Sequence, residues 1–266
     1  MTDRLRHPAV MAAAIWVAVF CVLTATGQPY SVRVIRVGWQ VVPVEALESN
    51  PVAAVWDLHV QPPLWNLVLG AIVAWSPIGV TAAAWLLSAA VGALLAASIA
   101  ATLDRLGAPV RATLVLTSIA TCNTQILQHA FEPRYDLAVA ALLAGLVWSI
   151  VVQADLGVDR RSPVVPVAIA TTLVMIRALY HPIWLLVVVV GLLWWMRRSL
   201  DRRQVALVTM APLLVVGGWM LKNEVRFASP ALSSWTGMNL LRSTLPAVDP
   251  ERVDELIAEG RVDPVA

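Results

Sequence analysis

The sequence predicts an all-α, polytopic bundle of membrane-spanning helices, and three observations predict it. Of 266 residues, 59% are apolar and only 14% charged, with a mean hydropathy of +0.75; a single water-facing domain does not carry that balance. The apolar residues are gathered into long runs. The arginines sit in small groups between those runs, as they do in short loops that stay on the cytoplasmic side. The net charge of +2 and the absence of a basic patch set nucleic-acid binding aside.

Seven long apolar runs read as spans: Val10–Ala25, Val80–Leu103, Thr113–Leu127, Leu137–Ala154, Val164–Met175, Ile183–Met196 and Val205–Leu221. Each reaches or approaches the roughly 20 residues that a hydrocarbon core requires, the shorter ones with help from flanking Trp and small residues. An eighth run, Leu64–Trp75, follows Pro62-Pro63 and is too short for a crossing. It suits a re-entrant or interfacial helix.

The basic residues support this choice. If Leu64–Trp75 does not cross, then Arg4 and Arg6, Arg105 and Arg111, Arg160 and Arg161, and Arg197, Arg198, Arg202 and Arg203 all fall on the inner side. The expectation is therefore a multi-pass protein of the cell membrane, N-terminus cytoplasmic and C-terminus exported. Residues 1–240 form the membrane domain, with a first exported loop over about 27–62. Residues 241–266 form an exported tail, in which Asp249 followed by Pro250 opens a short amphipathic helix over Asp249–Gly260. The N-terminal basic stretch before an apolar run is read as an anchor that stays, and Cys21 and Cys122 as buried thiols outside any disulfide or metal framework.

This topology gathers the polar residues on the exported face, opposite the arginines. The first loop ends in Asp57, His59 and Gln61, where Pro62-Pro63 stiffens the start of the next helix and frees nearby carbonyls from intrahelical bonds. The first loop also carries Glu48. A second cluster holds His129, Glu132, Arg134 and Asp136, in which a carboxylate at the membrane edge requires a partner or a function. A third holds Arg177 and His181 at a tight bend, where a guanidinium can meet a lipid phosphate or snorkel. The fourth follows the last run: Lys222, the only lysine beside 18 arginines, which can meet a phosphate or pair with Glu224, and then Trp235 and Asn239. No phosphate-binding glycine loop, dinucleotide loop or serine nucleophile elbow occurs. No cofactor is expected; a divalent metal near His59, His129 and His181 is a lesser alternative, because no ligands fall at helical or motif spacing.

At His59-Val60-Gln61-Pro62-Pro63-Leu64 the chain resembles the membrane-embedded C-type glycosyltransferases. The likeness is to their family 39 group, which includes protein O-mannosyltransferases and aminoarabinose transferases. Arg177-x-x-x-His181-Pro182-x-Trp184 and Lys222-Asn223, followed by Ser233-Ser234-Trp235-x-Gly237-Met238-Asn239-Leu240, resemble that group in the same order, over about Val42 to Leu240. The resemblance implies a shortened bundle in which a sugar moves from a polyprenyl-phosphate carrier to an acceptor on the exported face. Such a transfer calls for a carboxylate to take the acceptor proton and cations to hold the departing phosphate. Asp57 is the first choice of base, with Glu48 and Asp136 as substitutes. His59, Gln61, Glu132, Arg134, Arg177, His181, Lys222, Trp235 and Asn239 are the expected carrier and substrate contacts. The alternative is a non-catalytic membrane protein that binds or moves a lipid-linked glycan, or serves as an accessory subunit.

Overall fold

The structure is a computed structural model that describes residues 7–37, 42–156 and 161–234, together with 255, 258 and 259. The expected tail helix, Trp235 and Asn239 lie outside the described residues, save for those three tail positions. Among the described residues the chain is all-helical, with no strand. Four helices are long and apolar enough to cross a membrane: Pro8–Ala25, Val80–Arg105, Tyr135–Asp155 and the continuous stretch Arg202–Phe227.

The first of these, α1 (Pro8–Ala25), starts at Pro8 with His7 as its N-cap and buries Ala12, Trp16 and Phe20 along one stripe. Cys21 faces away from that stripe and is exposed, and Cys122 is half-buried. The expectation of two buried thiols is thereby corrected for Cys21, which points outward where lipid would lie. Three short helices, α2 (Arg33–Val37), α3 (Val44–Ser49) and α4 (Pro51–Trp56), make up the described part of the first loop. They pack over α5 (Pro63–Trp75), whose Pro63 supplies the first helical position. Asn66 of α5 is buried and its side-chain oxygen accepts from the Val42 amide at 2.9 Å.

The long helix α6 (Val80–Arg105) packs tightly on α1. A Cβ added at Gly92 would lie 2.1 Å from the Trp16 ring, which is completely buried. Gly92→Ala is therefore expected to cost about 1–3 kcal/mol of stability, the usual toll of overpacking. Thermal melting of the purified protein in detergent checks this, and an unchanged midpoint would contradict the packing.

The expected third span, Thr113–Leu127, is instead two helices, α7 (Val110–Thr121) and α8 (Thr124–Phe131). Asn123 breaks it, because its side-chain oxygen accepts from the Gln125 and Ile126 amides, both at 3.1 Å, as an N-cap of the second helix. Next come α9 (Tyr135–Asp155), α10 (Val164–Ile176) and α11 (Pro182–Met196). At 13 and 15 residues, α10 and α11 are about 20 and 23 Å long, short of a full hydrocarbon core of about 30 Å. The final stretch runs through α12 (Arg202–Pro212), a π-helical segment Leu213–Gly217 and α13 (Gly218–Phe227). Pro212 has no N–H to donate and its ring crowds the carbonyl four residues back, so the hydrogen-bond ladder shifts there.

The contacts sort the helix ends into two groups. His7 approaches Asp104 at 3.9 Å, Arg105 pairs with Asp155, and the Arg161 guanidinium lies over the Trp195 ring. About 25 Å away along α1, Trp85 donates to the Thr24 hydroxyl at 3.2 Å, and the Ser31 amide donates to the Phe131 carbonyl at 2.9 Å. Tyr30 belongs to this second end, hydrogen-bonded to Ser88 at 3.1 Å. Burial pushes its phenol up to about 12, against the opposing pull of that bond.

Candidate functional site

Two clusters of charge hold the polar end of the bundle together. The first is a clasp between the end of the first loop and the last helix. The C-terminus of α4 leaves carbonyls without intrahelical partners, and Pro62-Pro63 prevents the chain from satisfying them by continuing the helix. Lys222 of α13 does so, donating to the Trp56 carbonyl at 3.0 Å and the Leu58 carbonyl at 2.7 Å. The ammonium also lies 3.7 Å from the Trp219 ring centroid and 5.2 Å from that of Phe227, an arrangement in which the rings replace part of its hydration. With 7% of its surface exposed, Lys222 acts as a buried anchor. Among the described residues its hydrogen bonds go to these two carbonyls, and no ion pair joins it to Glu224.

The chain beyond α13 completes the clasp. Ala228, in the left-handed region at φ 50°, ends the helix and turns the segment back. Asn223 donates to the Ala231 carbonyl at 2.7 Å, the Ser233 hydroxyl donates to the Val60 carbonyl, and the Ser234 amide donates to the His59 carbonyl at 3.1 Å. The His59 ring sits 4.5 Å from Phe227 and its Nδ1 is 3.3 Å from the Ser234 hydroxyl. One turn beyond Lys222, Arg226 reaches Asp57 at 2.7 Å. Both partners are open to solvent, 60% for Asp57 and 44% for Arg226, so this pair contributes at most about 1 kcal/mol to stability. It leaves a carboxylate and a guanidinium accessible side by side.

The second cluster joins α9 to the bend after α10. Asp136, in the first turn of α9, pairs with Arg177, the residue that caps α10. The Arg177 guanidinium also lies 5.0 Å over the Tyr135 ring. His129 Nδ1 is buried without a hydrogen-bond partner, 4.0 Å from Asp136 Oδ2, too far for a hydrogen bond. Burial raises the Tyr180 phenol against the pull of Arg177. Glu132 and Arg134 pair locally at 2.5 Å, as a structural reading of that cluster expects. His181 caps α11, its Nδ1 accepting from the Ile183 amide at 3.3 Å.

Asp57, His59 and Lys222 thus come together in the clasp, while His129, Asp136 and Arg177 come together in the second cluster. The ion pairs of Asp57 and Asp136 each stay within their own group. The two groups border common ground, however, because Leu58, Leu64, Tyr180 and Trp184 all pack against one apolar core. Glu48 is exposed on α3, and Gln61 is half-buried before the Pro-Pro step. Arg226 belongs to the clasp although it is not among the expected site residues, and Ser234 enters it from the stretch that carries the resemblance. Trp219, Lys222 and Arg226 lie at i, i+3 and i+7, one helical face, which was the available signal. Among the described residues no three His, Cys, Asp or Glu side chains gather as a metal site.

Beyond the clasp lies an apolar cavity of ≈ 500 Å³. Pro63, Leu64 and Leu67 of α5 form one wall, Thr171 and Met175 of α10 another, and Leu207 and Pro212 of the last helix a third. Its lining begins six residues after Asp57, so an open ion pair and an apolar cavity are carried by one short stretch of chain.

No family model, curated protein or solved structure matches this chain.

Proposed function

We propose that the chain is a membrane-embedded glycosyltransferase that moves a sugar from a polyprenyl-phosphate carrier to an acceptor on the exported face. The observation that carries this reading is the open Asp57–Arg226 pair on the same stretch of chain as the cavity lined by Pro63 and Leu64. A polyprenyl-phosphate sugar has a charged head and a long apolar tail, and this arrangement offers complementary surfaces to both. In the transfer, Asp57 accepts the acceptor hydroxyl's proton as its oxygen attacks the anomeric carbon. The bond from that carbon to the phosphate oxygen breaks, and Arg226 neutralises the phosphate as it departs. The clasp supports a different assignment for Lys222 from the one its sequence position invites, so Arg226 takes over the cationic role beside the base. Arg177, held by Asp136 and Tyr135, serves to fix the bend.

The same reading takes the bundle as seven spans, with α7 and α8 forming one of them and α5 dipping in without crossing. The arginine-bearing end is then cytoplasmic. Two exposed positions test the orientation in a background with both native cysteines changed to serine. Leu106, 67% exposed, and Leu179, 73% exposed, fall at opposite ends. In intact cells an impermeant thiol reagent is expected to label Leu179→Cys and to spare Leu106→Cys; the reverse pattern would invert the topology.

A non-catalytic carrier-binding protein is the second reading. It is favoured by one observation: Asp57 and Asp136 are both already ion-paired. Purified protein supplied with a polyprenyl-phosphate sugar and a hydroxyl acceptor separates the two. Release of free polyprenyl phosphate supports transfer, whereas saturable carrier binding with no release supports the second reading.

A further inference from the structure

At the end of the bundle away from the clasp, a recess of ≈ 290 Å³ is lined by Arg161, Trp195, Met196, Arg197, Arg198 and Ser199. That is room on the order of ten waters. Three of its six lining residues are guanidinium groups, and none of the three has a carboxylate partner among the described residues. Two acids among the described residues nearby are occupied: Asp155 holds Arg105, and Asp201 accepts from the Gln204 amide at 2.7 Å as the N-cap of α12. Like charges brought together around a hollow repel one another unless an anion lies among them.

Two of the three arginines are also fixed in place. Arg161 donates from Nε to the Leu156 carbonyl at 3.3 Å and from Nη2 to the Ala154 carbonyl at 3.2 Å, with its plane 5.2 Å from the Trp195 ring. Arg197 lies 4.5 Å over Trp194 and donates to that residue's carbonyl at 3.2 Å. Arg198 is exposed at the rim. A guanidinium held by carbonyls and an indole has lost its rotamer freedom before a ligand arrives, which favours binding by preorganisation. The indoles also indicate depth, since Trp rings settle at the head-group level of a bilayer.

We propose that this recess binds the phosphodiester head group of an anionic membrane lipid. The proposal needs only that the chain lies in a bilayer and does not depend on the glycosyltransferase reading. Arginine forks match two phosphate oxygens, and the lipid's acyl chains continue along the exposed apolar surface of α11, where Val187 and Val190 are 66% and 54% exposed.

The test is native mass spectrometry of the delipidated full-length protein, titrated with phosphatidylglycerol and, separately, with phosphatidylcholine. One phosphatidylglycerol is expected to bind at least tenfold more tightly than phosphatidylcholine. Arg161→Gln, Arg197→Gln and Arg198→Gln should each weaken it about fivefold, the effect of one basic residue at an anionic lipid surface. Arg202→Gln combined with Arg203→Gln, on the adjoining helix start, should leave that first bound lipid unaffected. Because Arg161 also braces backbone carbonyls, the exposed Arg198→Gln alone decides the matter if the Arg161 variant does not fold. Equal binding of the two lipids would overturn the proposal, as would equal loss in the Arg202/Arg203 variant. Inorganic phosphate at millimolar concentration should not displace the lipid; displacement would assign the recess to a soluble phosphate.

Discussion

Asp57→Asn is expected to lower sugar transfer by about two to four powers of ten, the usual loss when a general base is removed, while carrier binding stays within about threefold of wild type. The substitution preserves shape and replaces a carboxylate that could take a proton with an amide that cannot. Structural damage is small because the pair with Arg226 is open to solvent, 60% and 44% exposed, and such pairs contribute little. Arg226→Gln should behave differently. On the proposed transferase reading it removes the cation that would meet the leaving phosphate, and it is expected to reduce both carrier affinity and rate. Initial rates of polyprenyl-phosphate release, measured over a range of carrier concentrations on detergent-purified protein, check both. An Asp57→Asn enzyme with wild-type turnover would end the assignment. Asp136→Asn would then be the next candidate base, although its bond to Arg177 makes a folding effect inseparable without a melting control.

The long helices were legible because length and apolarity alone determine them: the run Val80–Leu103 becomes α6 at Val80–Arg105, and Leu137–Ala154 becomes α9 at Tyr135–Asp155. The break at Asn123 was hidden, since one polar residue in an apolar stretch reads as a tolerated interruption until its side chain is seen capping two amides. Cys21 was misjudged for a related reason. In a run apolar on all sides, as α1 is, periodicity does not say which face turns inward. For the clasp, the sequence marked the two stretches that meet, the end of the first loop and the end of the last helix. It could not pair them, because Lys222 and the Trp56 carbonyl lie 166 residues apart along the chain. A backbone carbonyl also carries no residue-type signal, so an ammonium directed at two of them looks the same in sequence as one awaiting a phosphate.

That ambiguity makes Lys222→Met the most informative change for the architecture. Methionine keeps most of the apolar stem and deletes the ammonium, leaving the Trp56 and Leu58 carbonyls without the donor that now satisfies them at 3.0 and 2.7 Å. Hydrogen bonds to a charged group contribute about 1.5–3 kcal/mol each, and buried acceptors left unpaired cost a similar amount. Partial recovery by water at the nearby surface offsets some of that cost, so the expected loss is about 3 kcal/mol. It should appear in two ways: a lower melting midpoint, and faster proteolysis in the first loop around residues 56–60, which the clasp otherwise holds against α13. Lys222→Arg should rescue only part of the loss, because a planar fork cannot direct its donors at two carbonyls arranged around a compact ammonium. If Lys222→Met instead melted like wild type with its loop equally protected, yet bound carrier poorly, the lysine would be a phosphate ligand and the clasp would not be its role.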